Sequence, residues 1–195
     1  GKQIFRFDSF GDEPQWTDQL RMHEVVQNLT PVQALGVGLK VDVDAVPPDV
    51  LASADLNSAA TTVALLKLNA VVGVKATVDD QNVITSLGVT CALCHSTVDD
   101  SARDGIGHRL DGWPNRDLDP GAIIALSPAV PDAAKEVYNS WGPGKYDPRF
   151  NIDGKNTPLV LPPAYGLQHI KNETYTGEAP ISYCNAYVAF TQMGG

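Results

Sequence analysis

Two cysteines and a histidine lie within five consecutive residues near the middle of the chain. Cys91 and Cys94 are separated by two residues, and His95 follows directly, in the stretch GVTCALCHSTVDD. Two thiols and an imidazole at this spacing suit three kinds of chemistry: a redox dithiol, part of a zinc site, or covalent attachment of a haem. The remaining cysteine, Cys184, lies far along the chain.

The residues around the motif discriminate between these three kinds of site. A reactive dithiol of the thioredoxin type belongs at the start of a helix in a βαβ unit, and the surrounding pattern is not βαβ. A structural zinc site needs four nitrogen or sulfur ligands, usually as two spaced pairs, and no second pair exists. Haem attachment needs two thiols for the two vinyl groups and a histidine under the iron. We therefore expect one covalent haem c, held by Cys91 and Cys94, with His95 as the proximal iron ligand.

With these residues the chain resembles the c-type cytochromes. Four further segments resemble the amino-terminal part of larger secreted bacterial cytochromes related to dihaem oxidoreductases: FDSFGDEPQWTDQLRMHEVV, VGVTCALCHSTVDD, GWPNRDLDPGAIIALSP and PPAYGL. The resemblance spans nearly the whole chain, and it implies a periplasmic or extracellular protein that carries single electrons. A second haem domain commonly follows in those proteins, whereas this sequence contains a single motif.

Several residues are candidates for the iron ligand on the distal face, opposite His95. His23 is the first choice, because it lies in the apolar arc of a predicted helix, where a buried imidazole needs a partner. Met193, near the end of a predicted closing helix, is the second choice. His169 is a weaker candidate, and His108 is expected at the surface or near a haem propionate. An iron with ligands on both faces transfers electrons, whereas an open face binds small molecules.

Charge and hydropathy restrict the partners of the protein. The formal net charge is −9, from 14 Lys+Arg and 23 Asp+Glu. This charge argues against nucleic acid and anionic lipid surfaces, and no apolar run approaches the ~20 residues of a membrane span. We expect redox proteins as partners, and electron transfer rather than enzyme activity. Two alternatives stay open: a haem peroxidase or oxidoreductase domain with an open distal site, and a self-assembling subunit of an extracellular conductive filament.

The elements that must position the motif follow from periodicity. The 195 residues predict a single domain, 1–195, that is mainly α: a cytochrome c-like helical domain with long irregular loops and one β-hairpin before the haem motif. Helices are expected at 13–29 and 131–140, with another opening at Pro180. Alternating apolar residues predict the hairpin, with strands within 66–78 and 83–89.

Overall fold

The computed structural model describes residues 1–150, 153–173, 179–180, 182–183 and 186–187. Its α-helices are α1 (Lys2–Phe7), α2 (Met22–Val26), α3 (Pro31–Gly36), α4 (Pro48–Ser53), α5 (Ala59–Lys67), α6 (Ala92–His95), α7 (Pro120–Ala125) and α8 (Asp132–Asn139). A π-helix (Pro14–Gln19) and 3-10 turns at Val43–Ala45 and Leu167–His169 are also present. The strands are β1 (Val41–Asp42), β2 (Val74–Val78), β3 (Ile84–Val89), β4 (Ser96–Val98), β5 (Ile106–Gly107), β6 (Arg109–Asp111), β7 (Lys145–Tyr146), β8 (Leu159–Val160), β9 (Asn172–Glu173) and β10 (Ala179–Pro180).

The expectation of a mainly α, cytochrome c-like helical domain is wrong. Helices account for 38% of the described residues and strands for 17%, and the strands form several small sheets. The 17 Gly and 14 Pro interrupt regular structure so often that α5, at nine residues, is the longest described helix. Segments between the helices pair with one another as short strands, as β1 and β5 do in parallel.

The predicted helix at 13–29 is broken in two. Arg21 adopts a left-handed conformation, with φ of 52°, between the π-helix and α2. Tertiary hydrogen bonds favour this break, because the Ser127 hydroxyl donates to the Leu20 carbonyl oxygen at 2.6 Å. The Thr17 hydroxyl likewise donates to the Leu87 carbonyl at 3.0 Å and accepts from its N–H at 2.9 Å. Contacts distant in sequence therefore override the helical period.

The hairpin before the motif is confirmed, although its first strand begins later than predicted. Residues 66 and 67 end α5, and β2 begins at Val74 after turns that use positive φ at Asn69 and Gly73. β2 and β3 pair in antiparallel register, with Val74 opposite Val89. The helix predicted at 131–140 is confirmed as α8, while the predicted closing helix falls largely outside the described residues.

The main core forms where the hairpin meets the helices beside it. Ile84 and Leu87 of β3 are buried in the same cluster as Trp16 of the π-helix and Met22 of α2. Asp12, just before the π-helix, is fully buried and accepts from the Val89 N–H at about 3.1 Å. Among the described residues, no helix has the length and apolar character needed to cross a bilayer.

Candidate functional site

The cysteine motif occupies a single helical turn directly after the hairpin. Cys91 has helical backbone angles, with φ of −51° and ψ of −30°, and α6 ends at His95, after which Ser96 is extended. Residues three and four apart on a helix are neighbours on one face. The backbone of Cys91, Cys94 and His95 therefore lies within one helical turn.

The base of the hairpin fixes the start of this turn. The Thr90 N–H donates to the Gly73 carbonyl at 2.9 Å, and the Leu93 N–H donates to the Thr90 carbonyl at 3.0 Å. Gly73 has φ of 78°, and a Cβ atom there would overlap the backbone of Leu93. Ala92 is fully buried in a small cluster with Val72 and Val98. The sequence needs glycine at 73 because the motif backbone passes directly over it.

A loop after β6 fixes the other end of the turn. The Gly112 N–H donates to the His95 carbonyl at 2.8 Å, and the Asn115 N–H donates to the Cys94 carbonyl at 2.9 Å. The buried Asn115 side chain in turn donates to the Gly38 carbonyl at 2.9 Å. Carbonyls at the end of a helix have no partner within the helix, so this loop supplies the missing donors.

The His95 imidazole is oriented by a segment far along the chain. Its Nδ1 lies 2.9 Å from the carbonyl oxygen of Pro162. A carbonyl oxygen only accepts hydrogen bonds, so Nδ1 carries the proton and the lone pair of the neutral ring is on Nε2. Histidines that bind metals usually donate their other ring N–H to a carbonyl or carboxylate in this way. His95 therefore fits the role of an iron ligand through Nε2.

The two thiols do not have the character of a reactive dithiol. Both cysteines are half-buried. Burial raises the pKa of Cys91, with a smaller contribution from the charge of Asp8, and burial raises the pKa of Cys94 to about 12. Redox dithiols work through a lowered thiol pKa, which a nearby cation or a helix N-terminus provides. The structure thus favours neither thiol as a redox nucleophile.

A buried charge cluster supports the strand pair that continues from the motif. The Asp111 carboxylate accepts from the Ser96 hydroxyl at 2.7 Å and from Arg6 at 2.6 Å. The Arg109 guanidinium, with 2% of its side chain exposed, lies 3.1 Å from Asp111 and 3.9 Å from Asp42. These pairs join α1 to β4, which follows His95 in sequence, and to β6.

The candidates for the distal iron ligand are placed as follows. His23 lies on α2, and its buried Nδ1 has no hydrogen-bond partner in the described part of the chain. Gln27, one turn after His23, accepts from the Ile84 N–H at 2.7 Å. Ile84 lies at the end of β3 remote from Cys91, so this part of the chain contacts that end of the hairpin. His169 is exposed on a 3-10 turn, and Met193 lies outside the described residues. His108 is exposed and pairs with Asp44 at 2.9 Å.

A zinc cluster is not formed by the described residues, which contain no group of three or more His, Cys, Asp or Glu placed to hold a metal ion. A haem iron needs no such cluster, because the macrocycle supplies four ligands and the chain supplies the axial ones. Sequence reasoning missed Asn115 and Pro162, the groups that fix Cys94 and His95. Two of the segments quoted for their resemblance, GWPNRDLDPGAIIALSP and PPAYGL, contain these two residues without marking them individually.

Comparison with known proteins adds no assignment to this geometry. No protein-family model, curated protein sequence or solved structure matches the chain at a significant level.

Proposed function

We propose that this protein is a c-type cytochrome that carries single electrons on one covalently bound haem. The observation that supports it best is the hydrogen bond from His95 Nδ1 to the Pro162 carbonyl, which fixes the tautomer that an iron ligand needs. The helical turn adds support, because it carries Cys91, Cys94 and His95 within one turn.

The residues that would hold the haem have distinct roles. Cys91 and Cys94 would form the two thioether bonds, and His95 would bind the iron on the proximal side. On the distal side His23 is the first choice, since its buried Nδ1 has no hydrogen-bond partner among the described residues and a buried polar atom rarely stays unpaired. Met193 is the second choice. When bound, the haem supplies reversible one-electron chemistry between the ferric and ferrous states.

The same proposal places the protein in the periplasm or outside the cell, where bacterial c-type haems are attached. Its partners would be other redox proteins. The net charge of −9 favours partner surfaces that are basic, because complementary charge speeds the encounter of two proteins.

Co-expression with a haem attachment system tests the proposal directly. We expect a mass increase equal to one haem and a pyridine haemochrome spectrum typical of two thioether bonds. Cys91→Ala and Cys94→Ala should each leave one thioether and shift the α band, and the double variant should lose covalent haem. Cys184→Ser is the matched control and should retain it. Wild-type protein without covalent haem would refute the proposal.

A second experiment identifies the axial ligands of the loaded protein. The near-infrared magnetic circular dichroism band of the ferric form should show a bis-histidine pair, and His23→Ala should convert the spectrum to high spin. A histidine–methionine band that responds to Met193→Ala would move the distal ligand to Met193. A high-spin wild-type spectrum with rapid carbon monoxide binding would contradict the electron-carrier function and favour an open site.

A further inference from the structure

Two exposed aromatic side chains contact each other beside the motif. Trp113 and Tyr165 are 50% and 48% exposed, and their ring centroids lie 5.1 Å apart with an interplanar angle of 36°. The two residues belong to loops separated by about fifty positions, so this pairing is a feature of the tertiary structure. Large aromatic rings that are ordered and yet open to solvent are typical of surfaces that bind something.

Both rings are attached to the motif through the backbone. Trp113 lies in the loop whose Gly112 and Asn115 N–H groups donate to the carbonyls of His95 and Cys94. Tyr165 lies in the loop whose Pro162 carbonyl accepts from His95. The loops are joined to each other, since the Ala164 N–H donates to the Gly112 carbonyl at 2.8 Å.

Gly112 allows the close approach of the two loops. It has φ of 87°, and a Cβ atom at this position would lie 3.0 Å from the Cβ of Tyr165. A larger residue would be strained at this φ and would crowd the Tyr165 side chain. Backbone contacts and a glycine thus set the position of the pair, while packing leaves about half of each ring uncovered.

We infer that Trp113 and Tyr165 form an aromatic wall against which the haem rests. The inference depends on the proposed function and names residues that would contact the cofactor. A macrocycle tied to Cys94 and ligated by His95 must extend from these two residues across the adjoining surface. The loops that carry the wall are hydrogen-bonded to the same two residues, and flat aromatic groups pack favourably on one another. A haem at this position covers rings that are otherwise exposed.

Hydroxyl-radical footprinting of the haem-loaded wild type and of the Cys91→Ala/Cys94→Ala variant tests the wall. A haem that covers about four-fifths of the surface that Trp113 and Tyr165 otherwise expose should slow their labelling about fivefold in the loaded protein. Leu126, which is 43% exposed after α7, is the internal control and should be labelled equally in both. Equal labelling of the two rings, or protection that appears only as protein concentration rises, would overturn the inference.

A second measurement does not depend on the folding of the haem-free variant. In the loaded protein, Trp113→Ala should lower the reduction potential, because water reaching the haem edge favours the charged ferric form. Trp113→Phe keeps an apolar ring and should restore the potential. Equal potentials in all three proteins would overturn the wall. A wild type that binds no haem would instead refute the proposed function, and haem bound without these effects refutes the wall alone.

Discussion

The buried carboxyl of Asp12 should make the stability of the protein depend on pH. Burial raises the pKa of Asp12 from 3.8 to about 7, the charge of Glu13 adds to this increase, and the Val89 N–H opposes it. The unfolded chain ionises near 3.8, so folding is favoured most below that pH, and the advantage is lost as pH rises toward 7. A difference of about three pH units, at about 1.4 kcal/mol per unit, gives at most about 4 kcal/mol.

Asp12→Asn isolates this effect, since the amide oxygen can still accept from the Val89 N–H and cannot ionise. The free energies of unfolding of the wild type and the variant should be measured by urea denaturation from pH 4 to pH 8. We expect the wild type to lose about 3 kcal/mol relative to the variant between pH 4 and pH 7, and the loss should level off by about pH 8. The exposed Asp18→Asn is the matched control and should follow the wild type. A constant difference between wild type and Asp12→Asn across this range would refute the reasoning.

Two further substitutions test contacts of the hairpin, one with the motif and one with the π-helix. Gly73→Ala should destabilise the protein by about 3 kcal/mol, because a Cβ there is strained at positive φ and overlaps the Leu93 backbone; thermal unfolding would measure the loss, and an unchanged midpoint would contradict it. Thr17→Val should cost about 2 kcal/mol in urea denaturation, since it leaves the buried N–H and carbonyl of Leu87 unpaired. Thr17→Ser keeps the hydroxyl and should cost less than half as much, and equal losses for both variants would argue against the hydrogen bonds.

The sequence predicted those elements whose residues interact mainly with their neighbours. The alternation at Val83, Thr85, Leu87 and Val89 correctly located the second strand of the hairpin. Its inward phase was wrong at the start of the strand, where the pairing register shifts and Ile84 rather than Val83 is buried. The alternation at 66–72 was misleading, since α5 buries Leu65 and Leu66 together on a helical face before the chain turns. The helix at 13–29 failed for a non-local reason, the hydrogen bond from Ser127 to Leu20.

In the candidate site, too, the residues close in sequence could be predicted and their distant partners could not. Cys91, Cys94 and His95 are recognisable as a set because their spacing alone brings them onto one helical turn. The partners of this turn carry no such signal. Asn115 and Pro162 are ordinary loop residues in sequence, and Pro162 contributes a backbone carbonyl that any residue at that position would carry. No periodicity connects residues 95 and 162, so only the folded chain reveals their contact.

The long span of chain between His95 and Pro162 bears on how the protein matures. The hairpin and the motif emerge first from the ribosome or the translocation pore, and the segment that orients His95 follows 67 residues later. Under the proposed function, the motif would be open to haem attachment until that segment arrives, and the later loops would close around it afterwards. Maturation would then depend on two rates, that of haem attachment to the open chain and that of closure by the late segment. Variants that slow closure should gain cofactor during biosynthesis even where they lose stability once complete.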